Sequence, residues 1–171
     1  FPVPGCFVVT AEGYIAAMDE AGVRDDLRRG FGQACATAGD PAALAAAAEE
    51  LQARIAGAGL PDSLRSEVLE AYHRLGPDAC VAVRSSATAE DTAGTSFAGM
   101  HETFTNVVGD DAVIDQIVAC WRSLYGQRVI AYRAARGLTD EPSIAVVVQE
   151  QVAADRAGVL FTADPSTGER D

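Results

Sequence analysis

The segment Val81–Phe104, VAVRSSATAEDTAGTSFAGMHETF, joins the end of an apolar run to a long series of small side chains. The apolar run stops at Arg84, and most residues from Ser85 to Gly99 are Ser, Ala, Thr or Gly. Small side chains bury little apolar area, so a hydrophobic core gains little from them. They do let backbone N–H groups approach phosphate oxygens, and Gly94 and Gly99 permit tight backbone conformations.

Two interpretations of this segment follow from its residues. In the first it is a phosphate-binding loop, and the guanidinium of Arg84 offers a fixed fork of donors to a phosphate. In the second it is an ordinary solvated surface loop, in which Arg84 pairs with Glu90 or Asp91. The chain contains neither a GxxxxGK[ST] nor a GxGxxG motif, so the residues alone leave both interpretations open.

The composition is typical of a folded, water-soluble domain. The chain has 171 residues, 49% hydrophobic and 22% charged, and can bury one core as one domain or two small subdomains. Its formal net charge of −12 disfavours nucleic acids and anionic membranes as partners. No apolar run approaches the roughly 20 residues that span a bilayer, and the N-terminus lacks a signal peptide's basic region. We therefore expect a cytoplasmic location.

Cysteine and histidine usage gives no sign of a metal or redox site. The four cysteines and two histidines show no zinc-ligand spacing and no CxxC pair, so we expect free thiols in a reducing compartment. His101, within the small-residue segment, is a better candidate for ligand contact than His73. No GxSxG phrase surrounds any serine, and no catalytic nucleophile is predicted.

Residues 1–78 are predicted to form a mainly helical subdomain. A short strand, Cys6 to Val9, precedes a helix that Thr10 caps and that ends near Ala21. The stretch 24–39 contains another short helix. Asp40-Pro41 starts a third helix to about residue 56, and a fourth covers 62–75.

Residues 79–171 are predicted to form an α/β part. Strands are expected over 80–83, 102–108, 144–152 and 157–161, with a turn at 153–156 joining the last two as a hairpin. One helix is expected from about 111 to 136. Gln149 and Gln151 make the end of the third of these strands polar, and either a ligand or simple exposure of the strand edge would satisfy their amides.

Four phrases in this order resemble the ATP-binding domain of the pyruvate/phosphoenolpyruvate dikinase family. They are VAVRSSATAEDTAGTSFAGMHETFTNV, CWRSLYGQRVIAYR, VVVQEQV and GVLFTADPSTGERD. The opening VPGCFVVTAEGY is also similar to the family's VPxGFxVT phrase. The family includes phosphoenolpyruvate synthase, pyruvate phosphate dikinase and rifampin phosphotransferase. The resemblance covers nearly the whole chain and is weakest from about residue 24 to 78.

The resemblance implies an ATP-grasp-type fold, an α/β (α+β) nucleotide-binding architecture that is incomplete here and has a helical N-terminal part. Such enzymes transfer the β-phosphoryl group of ATP to a histidine on a separate swivelling domain, leaving AMP and inorganic phosphate. Positioning and charge neutralisation dominate this chemistry, so donors and Mg²⁺ matter more than a protein nucleophile.

The resemblance also assigns individual residues to the ATP site. Arg84 would contact the phosphates, and Gly99 and Thr103 would belong to the loop that covers them. Gln149 would bind the nucleotide, and the backbone from Glu150 to Val152 would be the adenine-facing hinge.

The sequence departs from the family pattern in several places. The family's upstream GGK lysine, its magnesium-binding Glu and Gln and its TSHAA phosphohistidine motif are not in this chain, and Met100-His101 replaces the common Gln-Gln. The resemblance therefore implies Mg²⁺ ligands outside the chain, with phosphohistidine and acceptor domains of the same parent protein as partners. We expect the chain to be inactive alone. The alternative is a non-catalytic stand-alone or degenerate ATP-grasp-like binding module.

Overall fold

A four-stranded antiparallel sheet and six helices make up the described part of the chain. The structure, a computed structural model, describes residues 2–87, 102–164 and 167–170. The strands are β1 (Cys6–Val9), β2 (Val81–Ala87), β3 (Thr103–Val107) and β4 (Ile144–Glu150), in the order β1-β4-β2-β3. The helices are α1 (Ala11–Glu20), α2 (Arg24–Ala36), α3 (Pro41–Ala58), α4 (Asp62–Leu75), α5 (Asp110–Ser123) and α6 (Gln127–Ala135). This mixture of helices and antiparallel sheet is an α+β fold, which confirms the coarser part of the predicted fold class.

The helices cover only one face of the sheet. Side chains alternate between the two faces of a strand. Five valine and isoleucine side chains of β2 and β4 on the covered face are completely buried: Val81, Val83, Ile144, Val146 and Val148. We call the opposite side the open face. Its members in β1, β2, β3 and β4 are Cys6, Val8, Ala82, Arg84, Ser86, Thr103, Ala145, Val147 and Gln149, and none of them is buried.

A single hydrophobic cluster joins the helices to the covered face. Its largest members are aromatic, and Trp121 of α5 packs edge-on against Tyr14 of α1, with 5.4 Å between ring centroids. The hydroxyls of Tyr14 and Tyr125 form a buried hydrogen bond of 3.1 Å. Burial raises the pKa of Tyr125 to about 12, so this hydroxyl stays protonated at neutral pH. The core thus fixes β2 and β4, which carry the open face.

The helix start signals in the sequence are confirmed. Thr10 Oγ1 accepts from the Gly13 N–H (3.2 Å) at the start of α1. Asp40 Oδ1 accepts from the N–H groups of Ala42 (2.9 Å) and Ala43 (3.2 Å), and proline occupies the first position of α3. These side chains satisfy N–H groups that a helix cannot pair internally.

Replacing Asp40 with alanine is expected to lower the free energy of unfolding by about 1 kcal/mol, because both capping bonds are lost. Urea denaturation followed by circular dichroism would measure this. Glu49→Ala, at an exposed position in the middle of the same helix, is the matched control and should change stability much less. Equal effects of the two substitutions would contradict the capping role.

Strand β2 is longer than predicted. The sequence placed its end at Val83, whereas the strand continues through Arg84 to Ala87. Arg84 pairs with Val147 of β4 on one side and with Thr103 of β3 on the other. The prediction was wrong because polar and small residues on the open face resemble the start of a loop when the alternation of faces is ignored.

The single helix predicted from about 111 to 136 is in fact two. Residues Leu124, Tyr125 and Gly126 each donate an N–H to the carbonyl three residues earlier, which tightens the end of α5. Gly126 then adopts an extended conformation (φ −66°, ψ 143°) and starts α6. The apolar stripe continues across this break, so its spacing could not reveal the break.

The predicted hairpin between 144–152 and 157–161 does not form. β4 is already paired on both edges, with β1 on one side and β2 on the other, so no edge remains for a third partner. Val159, Leu160 and Phe161 are 81%, 90% and 64% exposed. The other predicted elements are confirmed to within a few residues. Among the helices of the described ranges, none has the length and apolar character needed to span a bilayer.

Candidate functional site

Arg84 and Thr103 lie side by side on the open face. The register aligns Val8, Val147, Arg84 and Thr103 in one row across β1, β4, β2 and β3. Directly opposite residues in an antiparallel pair have Cβ atoms about 4.5–5.5 Å apart. The guanidinium of Arg84 and the hydroxyl of Thr103 can therefore contact the same ligand atom group.

Gln149 lies on the same face, in the next row. It pairs with Ala82 of β2 and Cys6 of β1. Its position is diagonal to Arg84, at a separation of about 7–8 Å. The structure thus brings together three of the residues that the sequence singled out, Arg84, Thr103 and Gln149.

The open face has an unusual charge arrangement for so acidic a chain. Arg84 is its only charged member among the described strand residues, and it forms no ion pair with a described carboxylate. Its neighbours Val147, Thr103 and Ser86 are uncharged. A cation that no described residue neutralises is available to an anionic ligand.

The carboxylate nearest to Thr103 in sequence belongs to Glu102 and acts on the opposite side of the sheet. The Glu102 carbonyl accepts from both the N–H and the hydroxyl of Ser85, at 3.3 and 3.0 Å. Burial, with a smaller contribution from the charge of Glu102, raises the pKa of Cys120 to about 12. Glu102 also lines the groove between α3 and α6 together with Gln52 and Arg128, on the helix side of the sheet. The four cysteines are free thiols, as predicted.

Glu150 connects the end of β4 to the segment before β1. Its Oε2 accepts from the Gly5 N–H (2.9 Å), and its own N–H donates to the Gly5 carbonyl (2.9 Å). A Cβ at position 5 would lie 2.6 Å from Glu150 Oε2, so only glycine allows this approach. The side chain of Glu150 is therefore engaged within the protein, and only its backbone can contribute to a hinge.

Val152 follows β4 and is 64% exposed. Its carbonyl accepts from the Ala154 N–H at 2.9 Å. Within residues 2–87, 102–164 and 167–170, its N–H has no hydrogen-bond acceptor. Of the predicted hinge residues, Val152 thus presents a free donor at the end of the strand that carries Gln149.

Several residues named from the sequence lie outside the described residues. They are Gly99, the Glu90 and Asp91 of the surface-loop interpretation, Met100 and His101. The choice between the two interpretations of Ser85–Gly99 therefore remains a prediction.

A magnesium ion finds no ready set of ligands in the described part of the chain. No group of three or more His, Cys, Asp or Glu side chains lies close enough there to hold a metal ion. Several of the described acidic residues pair with arginines, as Glu141 does with Arg24 through two bonds of 2.9 Å. No step is therefore assigned to a metal held by these residues.

Comparison with known proteins shows the family to which the chain belongs. The model of one family, pyruvate phosphate dikinase AMP/ATP-binding domain, matches residues 1–171. A phosphoenolpyruvate synthase of Aeropyrum pernix is 36% identical over 176 residues, covering 99% of this chain and 21% of that protein. A rifampicin phosphotransferase of a Streptomyces species is 37% identical, with 98% and 19% covered. A probable phosphoenolpyruvate synthase of Methanocaldococcus jannaschii is 39% identical, with 96% and 14% covered.

The chain therefore belongs to the pyruvate phosphate dikinase AMP/ATP-binding domain family. It corresponds to a part of these phosphotransferases, since it spans between 14% and 21% of the length of the three relatives named here. The resemblance recognised from the four sequence phrases is confirmed.

Proposed function

We propose that the open face binds ATP, as one wall of an ATP-grasp-type site. Arg84 contacts the phosphates. Thr103 belongs, with Gly99, to the loop that covers the phosphates. Gln149 contacts the nucleotide between its phosphates and its base. The Val152 N–H donates to the base. The observation that carries this proposal is the shared face of Arg84, Thr103 and Gln149, with Arg84 unpaired to any described carboxylate.

The spacing along β4 supports this order of contacts. Arg84 lies opposite Val147, and the hinge begins at Glu150, three residues further along β4. Val152 lies two residues beyond Glu150, so five residues of extended chain, at most about 17 Å, separate it from Val147. An extended nucleoside triphosphate together with the long side chain of Arg84 spans such a distance, so its phosphates can reach Arg84 while its base lies near Val152.

The uncharged neighbours of Arg84 support the phosphate assignment. A guanidinium offers a planar fork of donors that fits phosphate oxygens. Val147 and Val8 in the same row are apolar, so a ligand lying over them would exclude water there, and interactions between charges strengthen when water is excluded. The site can thus hold phosphate oxygens in place and offset part of their charge.

The proposed parent activity is that of a dikinase-type phosphotransferase. The β-phosphoryl group of ATP passes to a histidine on another domain, water takes up the γ-phosphoryl group to give inorganic phosphate, and AMP remains. The histidine then phosphorylates pyruvate or a similar acceptor such as rifampin. Mg²⁺ would be held by residues outside this chain and would neutralise phosphate charge when bound. In this proposal residues 1–78 and 79–171 contribute a helical subdomain and the nucleotide-binding part, in a cytoplasmic protein.

Calorimetric titration with ATP, with and without Mg²⁺, tests the proposal. We expect this chain to bind ATP weakly, and a longer polypeptide that includes the family's GGK lysine and metal ligands to bind it more tightly. The longer form should gain affinity from Mg²⁺, and this chain should gain much less. Absence of ATP binding in both forms would refute the proposed function.

A further inference from the structure

Gln151, the residue after β4, is held by three hydrogen bonds to other parts of the sheet. Its N–H donates to the Cys80 carbonyl at 2.9 Å. Its side-chain Oε1 accepts from the Asn106 N–H at 2.8 Å, and its Nε2 donates to Asn106 Oδ1 at 2.8 Å. Asn106 and Gln151, which are 45 positions apart, thus form a two-bond amide pair between β3 and the end of β4.

The backbone of Asn106 is adapted to this pairing. Its φ of 59° lies in the left-handed region, which asparagine adopts more readily than most residues. The β2–β3 register shifts between Val81 and Val83, next to this position. The irregularity gives the Asn106 N–H an acceptor on a side chain, Gln151 Oε1, where a regular strand residue would use the backbone of its neighbour.

The amide pair restricts the direction of the next N–H group. The N–H of Val152 belongs to the peptide unit that joins Gln151 to Val152, and peptide units are planar. Gln151 is anchored through both its backbone and its side chain, and the Val152 carbonyl is engaged by Ala154. With Gln151 anchored, this peptide unit can turn only about the Cα–C bond of Gln151, so the pair restricts the direction of the Val152 N–H, which has no acceptor among the described residues.

We propose that the Asn106–Gln151 pair positions the Val152 N–H to recognise an acceptor on the edge of the nucleotide base, and so governs base selectivity. This inference rests on the proposed function. Adenine carries an unprotonated ring nitrogen, N1, that accepts a hydrogen bond from an N–H. Hypoxanthine carries a hydrogen on N1, so its N1–H would face the Val152 N–H and two donors would meet without an acceptor. The pair is a positioning element, because neither side chain itself contacts the ligand.

The test measures dissociation constants of the full chain for ATP, ITP and inorganic tripolyphosphate by ligand-observed NMR. In Gln151→Leu we expect ATP affinity to fall about three- to tenfold, the contribution of one ordinary hydrogen bond. Affinities for ITP and tripolyphosphate should stay unchanged, so the preference for ATP over ITP shrinks by the same factor. Asn106→Asp keeps the Oδ1 acceptor for Gln151 Nε2 and should retain most of the preference.

Two further variants separate positioning from general destabilisation. Asn106→Gly tolerates the left-handed backbone and removes only the side chain, so it should also lose ATP preference with a nearly unchanged melting temperature. Gln127→Leu, at an exposed position in α6, is the matched control and should alter none of the affinities. An unchanged ATP to ITP ratio in both Gln151→Leu and Asn106→Gly would overturn the inference while leaving the proposed function intact. Failure of both the unmodified chain and the longer polypeptide to bind ATP would instead refute the proposed function.

Discussion

Replacing Arg84 with alanine is expected to weaken ATP binding by about 10- to 100-fold, because hydrogen bonds to charged groups contribute about 1.5–3 kcal/mol. Arg84 is exposed on the open face, so its removal leaves no cavity in the core. The fold should therefore persist, with an unchanged circular dichroism spectrum. Titration of both chains with ATP under identical salt conditions would measure the difference. In the longer phosphotransferase proposed above, the same substitution should abolish formation of AMP.

The matched control is Arg74→Ala. Arg74 is an exposed arginine of α4 that pairs with Glu70 one turn earlier, so this variant removes the same charge away from the open face. It should bind ATP as the unmodified chain does. Arg84→Lys keeps the charge without the planar fork and should recover part of the affinity. Equal ATP affinity in Arg84→Ala and the unmodified chain would show that the phosphates bind elsewhere.

Replacing Trp121 with alanine is expected to lower the free energy of unfolding by about 3–5 kcal/mol. Trp121 is completely buried, contacts Tyr14 edge-on and lies in the cluster that joins the helices to the sheet. Domains are commonly stable by only about 5–15 kcal/mol, so this loss is a large part of the total. Urea denaturation followed by circular dichroism measures it, since Trp121 is the only tryptophan and its fluorescence disappears with the substitution.

Trp121→Phe provides the comparison, since it keeps an aromatic ring at the contact with Tyr14. It should lower the free energy of unfolding clearly less than the alanine substitution does. Because one cluster contains residues from α1 through β4, we expect each variant to unfold in a single transition. A loss below about 1 kcal/mol for Trp121→Ala would contradict the central place of this residue in the core.

Local signals in the sequence predicted most of the helices and strands. Thr10 and Asp40-Pro41 located two helix starts because capping depends on neighbouring residues only. The break at Gly126 and the missing strand at 157–161 could not be found this way. The first is hidden within a continuous apolar stripe, and the second depends on which edges of β4 are occupied.

The residues of the candidate site were predicted one by one from the family resemblance. Their arrangement on one face of the sheet was not predicted. In β2, the alternation of Val81 and Val83 with Ala82, Arg84 and Ser86 is a visible signal that would have placed Arg84 inside the strand. In β4 both faces are apolar up to Gln149, so the residue pattern does not show which side is open. No pattern in the sequence indicates the Asn106–Gln151 pair, because the pair joins distant residues through a local irregularity of the sheet.

A map of amide chemical shift changes in this chain, recorded as ATP is added at millimolar concentration, tests directly whether the open face binds ATP. We expect the largest changes on Arg84, Thr103, Gln149 and Val152, with β1 and the covered face affected less. Changes concentrated instead in the groove between α3 and α6, which Gln52 and Arg128 line, would contradict it. So would a spectrum that ATP leaves unaltered.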